Sequence, residues 1–275
     1  MTFIESLKQA WQRNHSLVCV GLDPEPSRFP THLREDPNAI FAFCSAIVDA
    51  TADVVCCFKP QFAHFAARGA EETLQRLIAH IRAKHPRVPV ILDAKRGDIG
   101  STAAFYAAEA FDRYGADAAT VNPYLGRDAL EPFLSRADKG VVILCRTSNV
   151  GARDLQDLDV GGRKLYQHVA RKAATEWNGN GNCLLVVGAT YPEELADVRA
   201  IVGEMPLLVP GVGAQGGDVE AVVRGGATID GTGLVVSSSR AVLYAGAGED
   251  FADAARAATR NLSESINRYR RQSQS

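Results

Sequence analysis

The chain has 275 residues, of which 46% are hydrophobic and 23% charged, a balance that supports a sizeable apolar core. A formal net charge of −2 leaves no basic excess of the kind nucleic-acid binding demands, although one or two cations would suffice for a phosphate pocket. No run reaches the roughly 18 apolar residues of a membrane span.

The opening stretch, MTFIESLKQAWQRNHS, places Phe3, Ile4, Leu7 and Trp11 at helical spacing and lacks the apolar centre of a signal peptide. A cytoplasmic location is expected. Eight short apolar runs follow: SLVCVGL (16–22), VVCCFK (54–59), VPVILDAK (88–95), DAATVN (117–122), GVVILCR (140–146), CLLVVGA (183–189), PLLVPG (206–211) and TGLVVSS (232–238). Most are near-continuous in Val, Ile and Leu, as strands covered on both faces are. Between them, 37–51, 70–84, 101–114, 161–177, 192–202 and 217–224 read as helices, and a last helix fills 249–270. Eight β-α alternations without a break in composition predict an α/β fold, a single (β/α)8 TIM barrel over 1–275 with a frayed tail at 271–275. An open doubly wound sheet is the competing architecture. The stretch TSNVGARDLQDLDVGG (147–162) is the longest without periodicity, and such loops are often functional or mobile.

Six cysteines, Cys19, Cys44, Cys56, Cys57, Cys145 and Cys183, form no C-x-x-C pair, and several fall inside apolar runs. Buried, reduced thiols are expected.

Barrel active sites lie at the C-terminal ends of the strands, so the last residues of each run carry the chemistry. Those residues are Asp23 after the first run, Lys59 ending the second, Asp93, Lys95 and Asp98 at the third, and Ser148 after the fifth. PGVGAQGG follows the seventh and SSSR the eighth. Asp93 and Lys95 are two apart on a strand and share a face. With Lys59 beside them and Asp98 in the loop, the expected order is Lys, Asp, Lys, Asp, each charge keeping its neighbours ionised. Lys95 would then be a cationic proton donor. A Schiff-base role would need a depressed lysine pKa, and flanking carboxylates push the other way. A structural salt-bridge network is the alternative for a lone Asp-x-Lys, but four charges converging on one rim argue against it.

Barrel phosphate sites are frequently built from the loops after strands 7 and 8. Here the glycines of PGVGAQGGD let backbone N–H groups approach an anion, Gln215 can donate from its amide, and Arg240 can pair bidentately with phosphate oxygens. GVGAQG also fits G-x-G-x-x-G. However, Asp230 precedes the next run instead of ending it, so dinucleotide binding is not expected. His64, amid aromatic residues in QFAHF, reads as a structural histidine, and the six histidines show no metal-ligand spacing.

The stretch VILDAKRGDIGSTA (90–103) closely resembles the signature of the orotidine 5′-phosphate decarboxylase family. GLDPEPSRFP (21–30), FKPQFAHF (58–65), RTSN (146–149), VVGATYPEEL (186–195), LVPGVGAQGGD (209–218) and SSSRAVLYA (237–245) are similar, in the same order, to the longer bacterial branch of that family, type 2. The resemblance covers nearly the whole chain. It implies conversion of orotidine 5′-monophosphate to UMP and CO2 in pyrimidine biosynthesis, with no cofactor and no metal. By the same resemblance, Lys95 protonates C6, Asp93 lies near the substrate carboxylate, and Lys59 and Asp98 hold the array and contact the ribose hydroxyls. Asp23 bonds the ribose, Ser148 the pyrimidine, and Gln215 and Arg240 the phosphate, with the Pro210 loop closing over it. A homodimer is implied, in which Asp98 and Thr102 reach the neighbouring subunit's site. Taken alone, Thr102 reads as a helix-start residue. A Mg²⁺-dependent sugar-phosphate lyase or decarboxylase of the same barrel superfamily shares D-x-K-x-x-D and is the alternative, and a non-catalytic nucleotide-binding barrel is a third reading. FKPQ and PGVGAQGGD favour the decarboxylase, and the complete charge array argues against a non-catalytic barrel. Neither nucleic acid nor membrane is expected as a partner.

Overall fold

The computed structural model describes residues 1–212 and 218–272, except for the side chains of 271 and 272. The frayed tail expected at 271–275 otherwise lies outside the described residues. Helix α1 (Phe3–Arg13) starts at a capping box: Thr2 Oγ1 accepts the Glu5 N–H at 3.2 Å, and the Glu5 carboxylate accepts the Thr2 N–H at 2.8 Å. Its buried face is Phe3, Leu7, Ala10 and Trp11. Phe3 packs where a side chain at Gly140 would have to go, so α1 seals the barrel at the start of the fifth strand.

All eight apolar runs form strands: β1 (Val18–Leu22), β2 (Cys57–Pro60), β3 (Ile91–Arg96), β4 (Ala118–Val121), β5 (Gly140–Arg146), β6 (Cys183–Val187), β7 (Leu207–Pro210) and β8 (Leu234–Ser238). Every pairing is parallel, in the order β2-β1-β8-β7-β6-β5-β4-β3. The two ends of that order approach each other through parallel bridges at Phe58–Val90 and Gln61–Asp93, and the Phe58 N–H bonds Pro89 O at 3.1 Å. The sheet thus closes on itself as a (β/α)8 barrel, which an open doubly wound sheet does not do.

The helices are α2 (Ala39–Thr51), α3 (Phe62–Ala66), α4 (Glu71–Lys84), α5 (Gly100–Ala108), α6 (Arg127–Leu134), α7 (Leu165–Lys172), α8 (Pro192–Val202), α9 (Val219–Gly226), α10 (Arg240–Leu243) and α11 (Phe251–Gln272). Helices α5 and α7 each run on into a π-helical turn. Helix α6 stands where periodicity gave no helix: it has only eight residues, and Pro132 inside it removes a backbone donor. Burial of Ala129, Leu130, Phe133 and Leu134 holds it in place.

Strands β1, β2, β4, β6 and β8 are buried at every residue. Two strands depart from regular pairing at their C-terminal ends. In β3, Leu92 pairs with Ala119 but Arg96 with Val121; in β5, Leu144 pairs with Val186 but Arg146 with Val187. Both are bulge-type irregularities, two extra residues in β3 and one in β5, and such irregularities bend a strand and re-aim its side chains. The six cysteines are free and buried, as expected. Burial pushes the Cys145 and Cys183 thiols up to about 12.

Candidate active site

The β3 bulge lies against the end of β2. Lys59 Nζ donates to Asp93 Oδ2 at 2.9 Å, and Lys95 Nζ donates to Asp93 Oδ1 at 2.6 Å. Thr120 of β4 donates its hydroxyl to the same Oδ1 at 2.9 Å and accepts the Lys95 N–H at 2.9 Å. Lys59 and Asp93 are both buried. Burial alone would raise the Asp93 pKa, but the Lys59 and Lys95 ammonium groups outweigh it and hold the carboxyl well below the usual carboxylate range. Burial would likewise lower the Lys59 pKa, yet Asp93 and then Asp23 hold its ammonium above the usual lysine range. The buried pair is therefore fully ionised at neutral pH. Lys95 is the member that reaches solvent, with a side chain 46% exposed.

Lys95 also has a left-handed backbone, with φ 47°, a conformation that costs a non-glycine residue energy and needs support from its surroundings. Thr120 supplies part of that support. Arg96 supplies more from the helix layer, where Nε and Nη2 bond Glu109 Oε2 at 3.0 and 2.7 Å. Its guanidinium lies 4.4 Å from the Phe62 ring centroid and 4.5 Å from that of Tyr106. Its carbonyl accepts the Asn122 N–H at 2.8 Å. The strained lysine is thus bracketed by fixed neighbours.

A cavity of about 240 Å³ adjoins the array, and its lining includes Asp23, Lys59, Asp93, Pro210, Ser238 and Arg240. A Cβ on Gly21 would collide with Ser239 Oγ, so any larger residue at that edge would force Ser239 to shift. Asp23 Oδ1 is buried with no hydrogen-bond partner among the described residues, an acceptor that calls for a donor. Arg240 is exposed and forms no ion pair among the described residues. A cation with no such commitment beside three serines suits an anionic group.

The remaining candidates are spread more widely. Ser148 lies beyond β5, packed against Gly188, where a Cβ would come within 2.9 Å of Ser148 Cβ; it is not part of the cavity lining. Asp98 turns back on its own loop and accepts the Ile99 N–H at 2.8 Å. Within one chain the array is therefore Lys59–Asp93–Lys95, and the expected fourth member makes no ion pair with either lysine. Thr102 is exposed in the first turn of α5. Gln215 lies outside the described residues. His64 Nδ1 sits 3.2 Å from Pro24 O, in keeping with a structural histidine.

Folding does create one histidine cluster that sequence spacing did not reveal. Ligand atoms of Asp49, His80 and His85 lie within 4.8 Å of one another. The C-terminal ends of α2 and α4 carry these residues, and those helices precede β2 and β3, so the cluster is at the rim opposite the array. Both imidazoles already contact Asp49 Oδ1 at 2.8 Å, and Lys84 holds Oδ2 at 3.0 Å.

Over residues 16–257 the chain matches the model of the orotidine 5′-phosphate decarboxylase / HUMPS family. The chain belongs to that family. An orotidine 5′-phosphate decarboxylase of Azoarcus sp. is 66% identical over 270 residues, covering 98% of this chain and 100% of its own length. One from Dechloromonas aromatica is 64% identical over 270 residues, with the same coverage. Among solved structures, Leishmania donovani OMP decarboxylase superposes with a TM-score of 0.85 at 40% identity, covering 98% of this chain and 99% of that one.

Two residues of the orotidine 5′-phosphate decarboxylase fold around the array were missed in the sequence. Thr120 was the lone hydroxyl in the apolar run DAATVN, a legible hint. Arg96 was hidden beside Lys95, and only the fold shows that it faces the other way.

Proposed function

We propose that the chain acts as an orotidine 5′-phosphate decarboxylase, converting orotidine 5′-monophosphate to UMP and CO2 in de novo pyrimidine biosynthesis. The observation that carries the reading is the Lys59–Asp93–Lys95 array, fully charged and set beside a polar cavity at the C-terminal rim.

The chemistry explains the need for such an array. Breaking the C6–carboxylate bond leaves its electron pair in an sp² orbital in the plane of the pyrimidine, where the ring π system cannot spread it. The charge must be met by a fixed positive group. In this reading the Lys95 ammonium stabilises the developing carbanion and then transfers a proton to C6, giving UMP and a neutral amine that water reprotonates. Asp93 stays ionised and sits near the substrate carboxylate, where like charges repel in the ground state and the repulsion ends when CO2 departs. Lys59 keeps Asp93 in place. Asp23 receives a ribose hydroxyl, Ser148 bonds the pyrimidine, and Arg240 grips the phosphate together with Gln215, the Pro210 loop folding over it. Binding energy from that remote phosphate can drive closure over the ring.

The Mg²⁺-dependent sugar-phosphate alternative gains no support from the full-length relatives. Asp93 is also poorly disposed toward a dication, because two ammonium groups and a hydroxyl take up its oxygens.

The active form in this reading is a homodimer. Asp98 makes no ion pair with its own array and Thr102 is exposed on α5, so both are free to complete a neighbour's. Ile99, Phe105, Tyr124 and Leu125 expose apolar surface on the same adjoining segments, as a subunit interface would. A cytoplasmic setting suits six reduced cysteines and a chain in which no described helix is long and apolar enough to cross a membrane.

The test is to mix the purified protein with orotidine 5′-monophosphate in excess EDTA and follow ultraviolet absorbance. Protein-dependent loss of the orotate band with UMP as product is expected. An unchanged spectrum would reject the reading.

A further inference from the structure

We propose that Arg146 is a positioning residue for Ser148, and that Glu194 and Gln156 hold it in that role. The proposal rests on the reading of Ser148 as the residue that bonds the pyrimidine.

Arg146 ends β5 with a side chain only 1% exposed. The bulge explains how a cation arrives there. Cys145 Sγ lies 3.2 Å from Tyr166 O, and the Arg146 guanidinium lies 5.8 Å from the Tyr166 ring centroid. Successive residues of a regular strand point to opposite faces, so these two could not both meet α7 without the bulge. The guanidinium then meets Glu194 in the first turn of α8 as a fork, Nε to Oε2 at 2.6 Å and Nη2 to Oε1 at 3.3 Å. Asp157 Oδ1 is 3.4 Å from Nη2, and Lys164 lies 3.7 Å from Asp157 and 3.9 Å from Glu194.

The other edge of the guanidinium faces the chain that leads to Ser148. Nη1 donates to Thr147 O and to Gln156 Oε1, each at 3.4 Å. Gln156 then brackets Thr147: it accepts the Thr147 N–H at 2.8 Å and donates to Thr147 Oγ1 at 2.9 Å. The residue before Ser148 is thus held at its nitrogen, its carbonyl and its hydroxyl. On the far side, Arg146 O accepts the Gly188 N–H at 2.8 Å, and Gly188 lies flush against Ser148.

Buried ion networks are weak stabilisers compared with apolar packing of equal volume. A planar fork does fix direction, and hydrogen bonds to a base weaken steeply with poor angle. This network spends its charge on geometry, and it makes the loop after β5 a rigid mount for Ser148.

The experiment compares dissociation constants for UMP and for ribose 5-phosphate, which shares the sugar and phosphate but lacks the base. The ratio of the ribose 5-phosphate constant to the UMP constant isolates what the base contributes. Ser148→Ala is expected to lower that ratio about three- to tenfold, the value of one hydrogen bond. Arg146→Lys and Glu194→Gln should lower it to a similar degree, leaving ribose 5-phosphate binding unchanged. Either substitution combined with Ser148→Ala should add little, since both remove the same contact. Glu194→Gln preserves shape and serves if Arg146→Lys fails to fold. A drop in the ratio for Ser148→Ala alone would overturn the positioning role. Equal losses for both ligands, or additive effects in the double variants, would overturn it too. An unchanged ratio in Ser148→Ala would instead reject the base-facing reading of Ser148, and the proposal with it.

Discussion

Strands β3 and β5 both slip register within their last residues, and both do so beside a cluster of charge, yet the two clusters are built for different ends. At β3 the bulge leaves Asp93 and Lys95 at the barrel rim beside the cavity. Lys59 and Asp93 are buried, Lys95 is half-exposed, and its backbone is held in a left-handed conformation. At β5 the bulge sends Arg146 outward between α7 and α8, where two carboxylates, a glutamine and a carbonyl enclose it. Burial lowers the Arg146 pKa, but Glu194 more than restores it, so this cation is permanently charged too. One cluster ends in an ammonium that solvent can reach. The other is closed on itself and can act only through what it holds. In the proposed roles the same local defect serves chemistry in one strand and placement in the other, depending on which side of the sheet the charge is sent.

The largest effect should come from the open cluster. Lys95→Ala is expected to lower turnover at least about a thousandfold, since in its proposed role Lys95 supplies both the stabilising charge and the proton. Its unfolding free energy should change by no more than about 1 kcal/mol, because the Lys95 side chain is half-exposed and Lys59 still serves Asp93. Turnover assays and urea melts read the two numbers separately, and full activity would remove Lys95 as the acid.

The closed cluster should behave in the opposite way. Arg146→Met leaves Glu194 and Asp157 facing each other without their cation and should destabilise the fold by about 3–5 kcal/mol in urea denaturation. A melt matching wild type would show that Lys164 alone satisfies both carboxylates, and the contrast between the clusters would collapse.

The smallest effect is a flat line. Asp93 has a folded pKa depressed below the unfolded value of about 3.9, so its stabilising contribution is present in full above that pH and is lost only as pH falls through the folded value. The stability difference between wild type and Asp93→Asn should therefore be constant from about pH 5 to 9 and shrink below about pH 4. A step near neutrality would mean that the array titrates where the enzyme works, contrary to its geometry.

By itself the sequence determined the barrel and half of its rim. Strands enclosed on both sides need unbroken apolar runs, so eight runs announced eight strands, and charges at the end of such a run stand out. Lys59, Asp93 and Lys95 were legible for that reason, and Asp23 and Arg240 because they follow strand ends. Helix α6 was not legible, since Pro132 contradicts helical spacing and only burial of its apolar face overrides it. Tertiary structure alone decided where each charge points. Neither bulge has a local signature, because a slip in register is a property of two strands and their side-chain partners. Lys95 meets Thr120 from 25 residues away, and Arg146 meets Glu194 from 48. Such contacts depend on which strands and helices become neighbours once the barrel closes, and no short window of sequence contains that information.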